Sequence, residues 1–269
     1  MVDEQSVVET PRGEIGVRRV GAGPPLVVVN GYAATTLDWD PGFLSALGGS
    51  SELICVDNRG MGTTPAGTGG EDLTIDSMAA DLLGAMTALG IDTAPVLGWS
   101  MGGMIAQACA LAATDRVEAL VLLSTDPGPG AEITTGDVWR RLIDHCGTPR
   151  EQATRLLSLL FPPSLAEQID AEFGELVAAA RAALDHDSLT AQEAAMRGWH
   201  DERDLSSLAS VPTLAATGTL DVVIPPGNAE LIAERAEDSW LARFPGGGHA
   251  FMAQEPARAA ALIGAFLGR

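Results

Sequence analysis

The pentapeptide Gly98–Gly102 places a serine, Ser100, in a setting suited to nucleophilic catalysis. It follows the apolar run 94–97 and precedes a segment rich in glycine and alanine, 101–113, whose composition predicts a helix. A strand, a tight turn and a helix in this order hold a serine on a strained elbow with its Oγ exposed. Glycine is needed on both sides, because a side chain there would collide with the neighbouring strand or helix. The pattern alone is weak in a chain with 31 glycines, so the serine needs partners elsewhere in the sequence.

Two later segments supply those partners in the order Asp, His. A serine hydroxyl is a weak nucleophile until a base takes its proton, and the base needs a third group to orient it. Asp221 follows the strand-like run 211–217, and His249 lies on a glycine-rich loop after the run 239–244. Open α/β sheets build their sites at such carboxyl ends of strands. The sequence therefore predicts Ser100 as nucleophile, His249 as base and Asp221 as the orienting acid.

The other three of the four histidines do not occupy comparable positions. His145 and His186 lie within or at the end of predicted helices among charged neighbours, which is typical of solvated side chains. His200 lies at a polar helix end, where a cation complements the helix dipole. Elimination therefore leaves His249 as the candidate base.

The composition narrows the class of protein. An apolar content of 46% in 269 residues and a mean hydropathy of +0.16 predict a folded core. The net charge of −20 repels phosphate backbones and anionic lipids, which argues against nucleic-acid and membrane partners. The first residues lack the pattern of a secretory signal, and the scattered cysteines have no metal-binding spacing, so reduced thiols and a cytoplasmic location are predicted. These cysteines are Cys55, Cys109 and Cys146. With no phosphate-binding glycine loop either, we expect no metal and no cofactor.

Strand and helix patterns alternate through most of the chain, which predicts an α/β fold. A hairpin over 5–20 is followed by apolar runs typical of strands buried on both faces, with helical periodicity between several of them. These runs are 26–30, 53–56, 94–97, 118–123, 211–217 and 239–244. The pattern predicts a mostly parallel, eight-stranded sheet with helices on both faces.

The alternation stops after the sixth strand. Residues 130–210 read as helical throughout, with capped N-termini expected at Thr148 and Thr190 because a glutamate follows each by three residues. About eighty helical residues inside an α/β pattern predict a cap over the carboxyl edge of the sheet. We therefore expect a core of residues 1–127 and 208–269 with a helical cap, 128–207, inserted after the sixth strand.

Five motifs in order resemble the α/β-hydrolase superfamily over nearly the whole chain. They are Asn30-Gly31-Tyr32, Asp57–Gly62, Gly98–Gly103, Gly218–Asp221 with Pro225, and Gly248-His249. In size and cap length the chain resembles bacterial carboxylesterases, enol-lactonases and cofactor-free perhydrolases. It departs from many members by carrying Asn30 where they carry histidine.

The resemblance implies further site residues. Asp221 occupies the position where the superfamily usually keeps its acid, while Asp126 remains an alternative because some relatives use the preceding strand. The amides of Met101 and Tyr32 are expected to form the oxyanion hole. The Tyr32 side chain either contacts substrate or packs on the cap. An apolar substrate pocket is expected, lined by Trp99, Trp139, Phe161, Val222 and Phe251.

These residues predict a serine hydrolase of small to medium, mostly apolar carboxylic esters or lactones. The same triad also fits acyl transfer, perhydrolysis or cleavage of a C–C bond, and these stay open. Epoxide hydrolases and haloalkane dehalogenases are disfavoured, because their elbow nucleophile is a carboxylate where this chain has Ser100. A ligand sensor built on the hydrolase scaffold is a further alternative from a different class. The expected partner is the small-molecule substrate, and a homodimer is one option for assembly.

Overall fold

A computed structural model describes residues 3–67 and 72–269. In this part of the chain the strands are β1 (Asp3–Thr10), β2 (Gly13–Gly21), β3 (Pro25–Val29), β4 (Glu52–Val56), β5 (Ala94–Trp99), β6 (Val117–Leu123), β7 (Thr213–Gly218) and β8 (Ser239–Phe244). The α-helices are α1 (Pro41–Leu47), α2 (Ile75–Ala88), α3 (Met101–Ala112), α4 (Gly136–Leu142), α5 (Pro149–Leu160), α6 (Pro163–Ala182), α7 (His186–Gly198), α8 (Gly227–Arg235), α9 (Phe251–Gln254) and α10 (Pro256–Leu267). None of these helices has the length and apolar character needed to cross a membrane.

The strands form one sheet in the order β1-β2-β4-β3-β5-β6-β7-β8. β2 pairs antiparallel with both β1 and β4, whereas every pair from β4 to β8 is parallel. The parallel strands bring their carboxyl ends to one edge, where the segments after β3, β5, β6, β7 and β8 meet. The prediction of a mostly parallel, eight-stranded sheet is confirmed.

Both faces of the sheet are covered by helices. Successive residues of a strand point to opposite faces, so Val27 packs with α2 and α3 while Val28 packs with α1 and α10. Both side chains are completely buried, as are their neighbours in β3. This two-sided burial explains why the central strands read as unbroken apolar runs.

Four helices, α4 to α7, lie between β6 and β7, and we call residues 136–198 the helical insertion. α5 begins with the capping box expected at Thr148, whose side chain accepts from the Glu151 amide. The start expected at Thr190 is wrong, because Asp185 accepts a hydrogen bond from the Ser188 amide at 2.8 Å and begins α7 earlier. α7 packs against α2 of the core. The division at residues 128 and 207 stays a prediction.

Candidate active site

Ser100 lies between β5 and α3 with a backbone conformation that side chains rarely adopt. Its φ of 55° and ψ of −124° place it in a strained region, at a cost of about 1–3 kcal/mol. The Ser100 amide donates to the Leu123 carbonyl at 3.0 Å, and the Thr125 hydroxyl donates to the Ser100 carbonyl at 2.6 Å. The end of β6 thus holds the elbow on both sides of its α-carbon.

The glycines flanking the elbow allow backbones to approach closely. A β-carbon at Gly98 would lie 2.2 Å from the Gly102 carbonyl oxygen, and one at Gly102 would lie 2.3 Å from the Val29 carbonyl oxygen. Both obstacles are main-chain atoms, which cannot swing aside as a flexible side chain would. The steric role expected for these glycines is confirmed.

Asp221 and His249 form a buried acid–base pair. The Nδ1 atom of His249 lies 2.9 Å from Oδ2 and 3.1 Å from Oδ1 of Asp221. Oδ1 also accepts from the amides of Val223 and Ile224, each at 2.9 Å. Both side chains are almost fully enclosed. A carboxylate that only accepts keeps the proton of the neutral imidazole on Nδ1, which leaves the lone pair of Nε2 free.

Asp126, the alternative acid, is occupied elsewhere. Its Oδ1 accepts from the Gly128 amide at 2.7 Å, and its Oδ2 lies 3.5 Å from Nε2 of His200. Burial raises the pKa of the Asp126 carboxyl above its ordinary value. The structure thus brings Asp221, not Asp126, to the imidazole of His249. His200 lies just after α7, at the helix end expected from the sequence, and its ring also faces the Asp126 carboxylate.

Ser100 lies beside this pair without a direct hydrogen bond to it. Trp99, its neighbour, donates from Nε1 to the His249 carbonyl at 3.0 Å, and the two rings are 5.4 Å apart. Among the described residues the Ser100 hydroxyl has no hydrogen-bond partner. Catalytic hydrogen bonds are often long without substrate and tighten when it binds. The elbow and the acid–base pair are therefore neighbours, joined through Trp99.

The loop after β3 packs directly on the elbow. A β-carbon at Gly31 would lie 3.3 Å from Cβ of Ser100, so the next amide, that of Tyr32, is close to the serine. In the described part of the chain neither the Tyr32 amide nor the Met101 amide donates to a protein acceptor. Two unpaired N–H groups beside a serine hydroxyl can stabilise an oxyanion that develops there.

Asn30, where many relatives carry histidine, holds this loop in place. It is buried, and its Nδ2 donates to the Val56 carbonyl at 3.2 Å. Its Oδ1 accepts from Nε1 of Trp39, and its carbonyl accepts from Nδ2 of Asn58 at 3.1 Å. Every polar group of the Asn30 side chain is thus engaged in fixing the backbone before Tyr32.

The Tyr32 side chain points to the helical insertion. Its hydroxyl donates to Oε1 of Glu193 at 2.8 Å, and Nε2 of His145 lies 2.7 Å from the same oxygen. The Ala33 amide donates to Oε1 of Gln192 at 3.1 Å. Burial and the Glu193 carboxylate raise the pKa of Tyr32. The prediction that His145 is solvated is wrong, because its ring is largely covered and contacts Glu193.

The five expected pocket residues do not form one cluster. Trp99 lies against His249, and Trp139 and Phe161 are partly buried at the insertion, the first beneath the Arg197 guanidinium. Phe251 is completely buried with its ring 4.4 Å from that of Phe244, so its assignment to the pocket is corrected to the core. Val222 is exposed. Near His249, the aromatic surface is therefore supplied by Trp99.

Sequence patterns did not reveal Gln192 and Glu193 as partners of the loop after β3. These two polar residues are buried on α7, and burial of polar side chains inside a helix is the feature that sets them apart.

Over residues 3–67 and 72–269, no group of three histidine, cysteine or acidic side chains is arranged to hold a metal ion.

Comparison with known proteins identifies the family. The model of the α/β-hydrolase fold family matches residues 24–256. A protein of Azorhizobium caulinodans provisionally named carbamate hydrolase RutD is 29% identical over 238 residues, with 88% of each chain covered. The pimeloyl-[acyl-carrier protein] methyl ester esterase of Aeromonas salmonicida is 25% identical, covering 94% of this chain and 99% of its own. The crystal structure of a hydrolase from Pseudomonas aeruginosa superposes with a TM-score of 0.83 at 28% identity, covering 99% of both chains. The chain therefore belongs to the α/β-hydrolase fold family.

Proposed function

We propose that this protein is a serine hydrolase that cleaves carboxylic esters or lactones through an acyl-enzyme. The observation that carries the proposal is the Asp221–His249 pair, which presents a free Nε2 beside a serine on a strained elbow. A buried carboxylate that holds an imidazole in this tautomer is the arrangement that activates a serine hydroxyl.

The proposed reaction has two halves. Oγ of Ser100 attacks the substrate carbonyl carbon while Nε2 of His249 takes the hydroxyl proton, and the oxyanion accepts hydrogen bonds from the Tyr32 and Met101 amides. Collapse of this intermediate breaks the C–O bond, and the imidazolium returns its proton to the leaving alkoxide. A water molecule then gives a proton to Nε2 and attacks the acyl carbon; the bond from this carbon to Oγ breaks, the acid leaves, and the imidazolium returns the proton to Oγ of Ser100. Asp221 stabilises the imidazolium in both halves without taking its proton.

Relatives support the type of bond. A methyl ester esterase and a protein provisionally named carbamate hydrolase both carry names for cleavage at a carbonyl carbon bonded to a heteroatom. The ring of Trp99, 5.4 Å from that of His249, favours substrates with an apolar portion of small to medium size.

Covalent labelling tests the proposal. A fluorophosphonate probe should modify Ser100, and Ser100→Ala should lose both labelling and hydrolysis of p-nitrophenyl butyrate. Ser124→Ala is the matched control, because Ser124 is also a buried serine with positive φ at a strand end, and its hydroxyl has no partner in the described residues. This control should keep wild-type activity and labelling. Full esterase activity in Ser100→Ala would contradict the proposal.

A further inference from the structure

Arg181 is a buried cation near the end of α6. The residue is 9% exposed, and it shares the inward face of the helix with Gly174 and Ala178, at spacings of seven and three residues. Gly174 and Ala178 are small, so this face of α6 can pack closely, and the long side chain of Arg181 lies at its carboxyl end. Arginine is among the residues that are almost never buried unless they are paired.

No group in the described residues pairs with this guanidinium. Arg181 forms no ion pair and no hydrogen bond with residues 3–67 or 72–269, and its Nε is enclosed without an acceptor. Burial accordingly lowers the pKa of Arg181 from its ordinary value. The carboxyl end of α6 provides a favourable dipole, but none of the five N–H donors of the guanidinium has an acceptor among residues 3–67 and 72–269. A bound anion would supply the missing acceptor.

The charged and polar groups that act on Arg181 lie at the loop after β3 and on α5. They are Tyr32, Asp38 and Arg155. The Tyr32 hydroxyl is already bonded to Glu193, and the Asp38 carboxylate accepts from both the amide and the hydroxyl of Thr35. Arg155 is itself a cation and donates to the carbonyls of Asp144 and Cys146. The guanidinium thus interacts electrostatically with Tyr32, whose amide serves the proposed oxyanion hole, and with Asp38, but forms an ion pair with neither.

We propose that Arg181 binds a carboxylate of the substrate, so that the substrate is an ester or lactone that carries a free carboxylate. The proposal rests on the proposed hydrolase function and specifies its substrate class. The planar guanidinium presents paired N–H groups that match the two oxygens of a carboxylate. A chain with a net charge of −20 repels anions in general, so selection of an anionic substrate requires a local cation of this kind.

Two p-nitrophenyl esters with the same leaving group test the proposal, the hemiglutarate with a terminal carboxylate and the uncharged valerate. We expect wild type to prefer the hemiglutarate in kcat/KM by about 10- to 100-fold, the range for hydrogen bonds to a charged group. Arg181→Met should remove this preference, measured as the ratio of the two kcat/KM values. Arg181→Lys keeps the charge without the paired geometry and should retain part of the preference.

An inhibition assay on wild type is independent of whether the variants fold. Glutarate should inhibit valerate hydrolysis at concentrations at least about tenfold lower than glutaramide, its uncharged analogue. Arg141→Met is the matched control, because Arg141 is an exposed arginine of α4 that donates to Ser158. It removes the same charge from the insertion and should leave both the ester preference and the inhibition unchanged.

The outcomes separate this inference from the proposed function. Ser100-dependent hydrolysis of the valerate with no preference for the hemiglutarate and no selective inhibition by glutarate would overturn the role of Arg181 alone. An equal loss with Arg141→Met would also overturn it, because the effect would then be one of overall charge. Hydrolysis that survives Ser100→Ala would instead contradict the proposed function.

Discussion

Replacing Asp221 by asparagine should remove most of the activity through one atom. Oδ1 of Asp221 accepts from two backbone amides, those of Val223 and Ile224, so the asparagine oxygen must remain at that position. If the amide group were flipped, its NH₂ would face both backbone N–H donors, and each donor left without an acceptor would cost about 1–3 kcal/mol. The NH₂ group therefore takes the place of Oδ2, which lies 2.9 Å from Nδ1 of His249.

A donor at that position reverses the tautomer of the imidazole. Nδ1 must then accept a hydrogen bond, which moves the proton to Nε2 and leaves no lone pair facing Ser100. The same substitution in a serine protease triad lowers kcat about 10⁴-fold, and we expect a loss of that size, or about 5.5 kcal/mol, in Asp221→Asn. Because the two backbone hydrogen bonds remain, the melting temperature should change little.

Initial rates with p-nitrophenyl butyrate and the rate of fluorophosphonate labelling measure this effect. Both should fall together, because both depend on removal of the Ser100 proton. Asp126→Asn is the matched control, a buried aspartate at the same sheet edge that faces His200 instead, and it should stay within about threefold of wild type. Activity of Asp221→Asn within tenfold of wild type would refute the tautomer argument.

Three further predictions concern stability and reactivity. Gly102→Ala should fail to fold or unfold at a much lower temperature in calorimetry, because its β-carbon would lie 2.3 Å from a carbonyl oxygen, whereas Gly136→Ala, which meets only an arginine tip at 3.6 Å, should fold normally. Ellman's reagent should titrate one thiol rapidly in the native protein, that of the exposed Cys146, because burial raises the pKa of Cys55 and Cys109 to about 12. Cys146→Ser should abolish the fast phase, and three rapidly reacting thiols would contradict the fold. Burial also raises the pKa of the Asp126 carboxyl above its ordinary value of 3.8. The wild-type protein therefore loses stability as pH rises from 3.8 through the pKa of the folded state, because the unfolded chain ionises first. Asparagine does not titrate, so the unfolding free energy of Asp126→Asn minus that of wild type, measured in urea, should increase over this interval. A difference in unfolding free energy that stays constant or falls with pH would contradict this prediction.

The fold could be predicted from the sequence because its central strands are buried on both faces. Such strands must be apolar at every position, and β3 shows this as an unbroken run that local composition reveals. The acid–base pair could also be predicted, because parallel strands bring their carboxyl ends together, and Asp221 and His249 each follow one. In both cases the pattern is local in the sequence: an unbroken apolar run, or a polar residue shortly after such a run.

The surroundings of Tyr32 could not be predicted in the same way. Its hydroxyl bonds to a residue 161 positions away, and the Ala33 amide bonds to one 159 positions away, so no local pattern contains either contact. The start of α7 was missed for a related reason. Thr190 and Asp185 are both good helix caps, and only the observed backbone shows that the earlier one is used.

The hydrogen bonds of Gln192 and Glu193 have a mechanical consequence for the loop after β3. They attach α7 to the hydroxyl of Tyr32 and to the amide of Ala33, the two residues that follow Gly31. If α7 swings outward, these bonds must rupture or the tethered loop must travel with the helix. Displacement of α7 would therefore disturb the backbone around the Tyr32 amide, one of the two N–H groups proposed for the oxyanion hole, unless these hydrogen bonds break first.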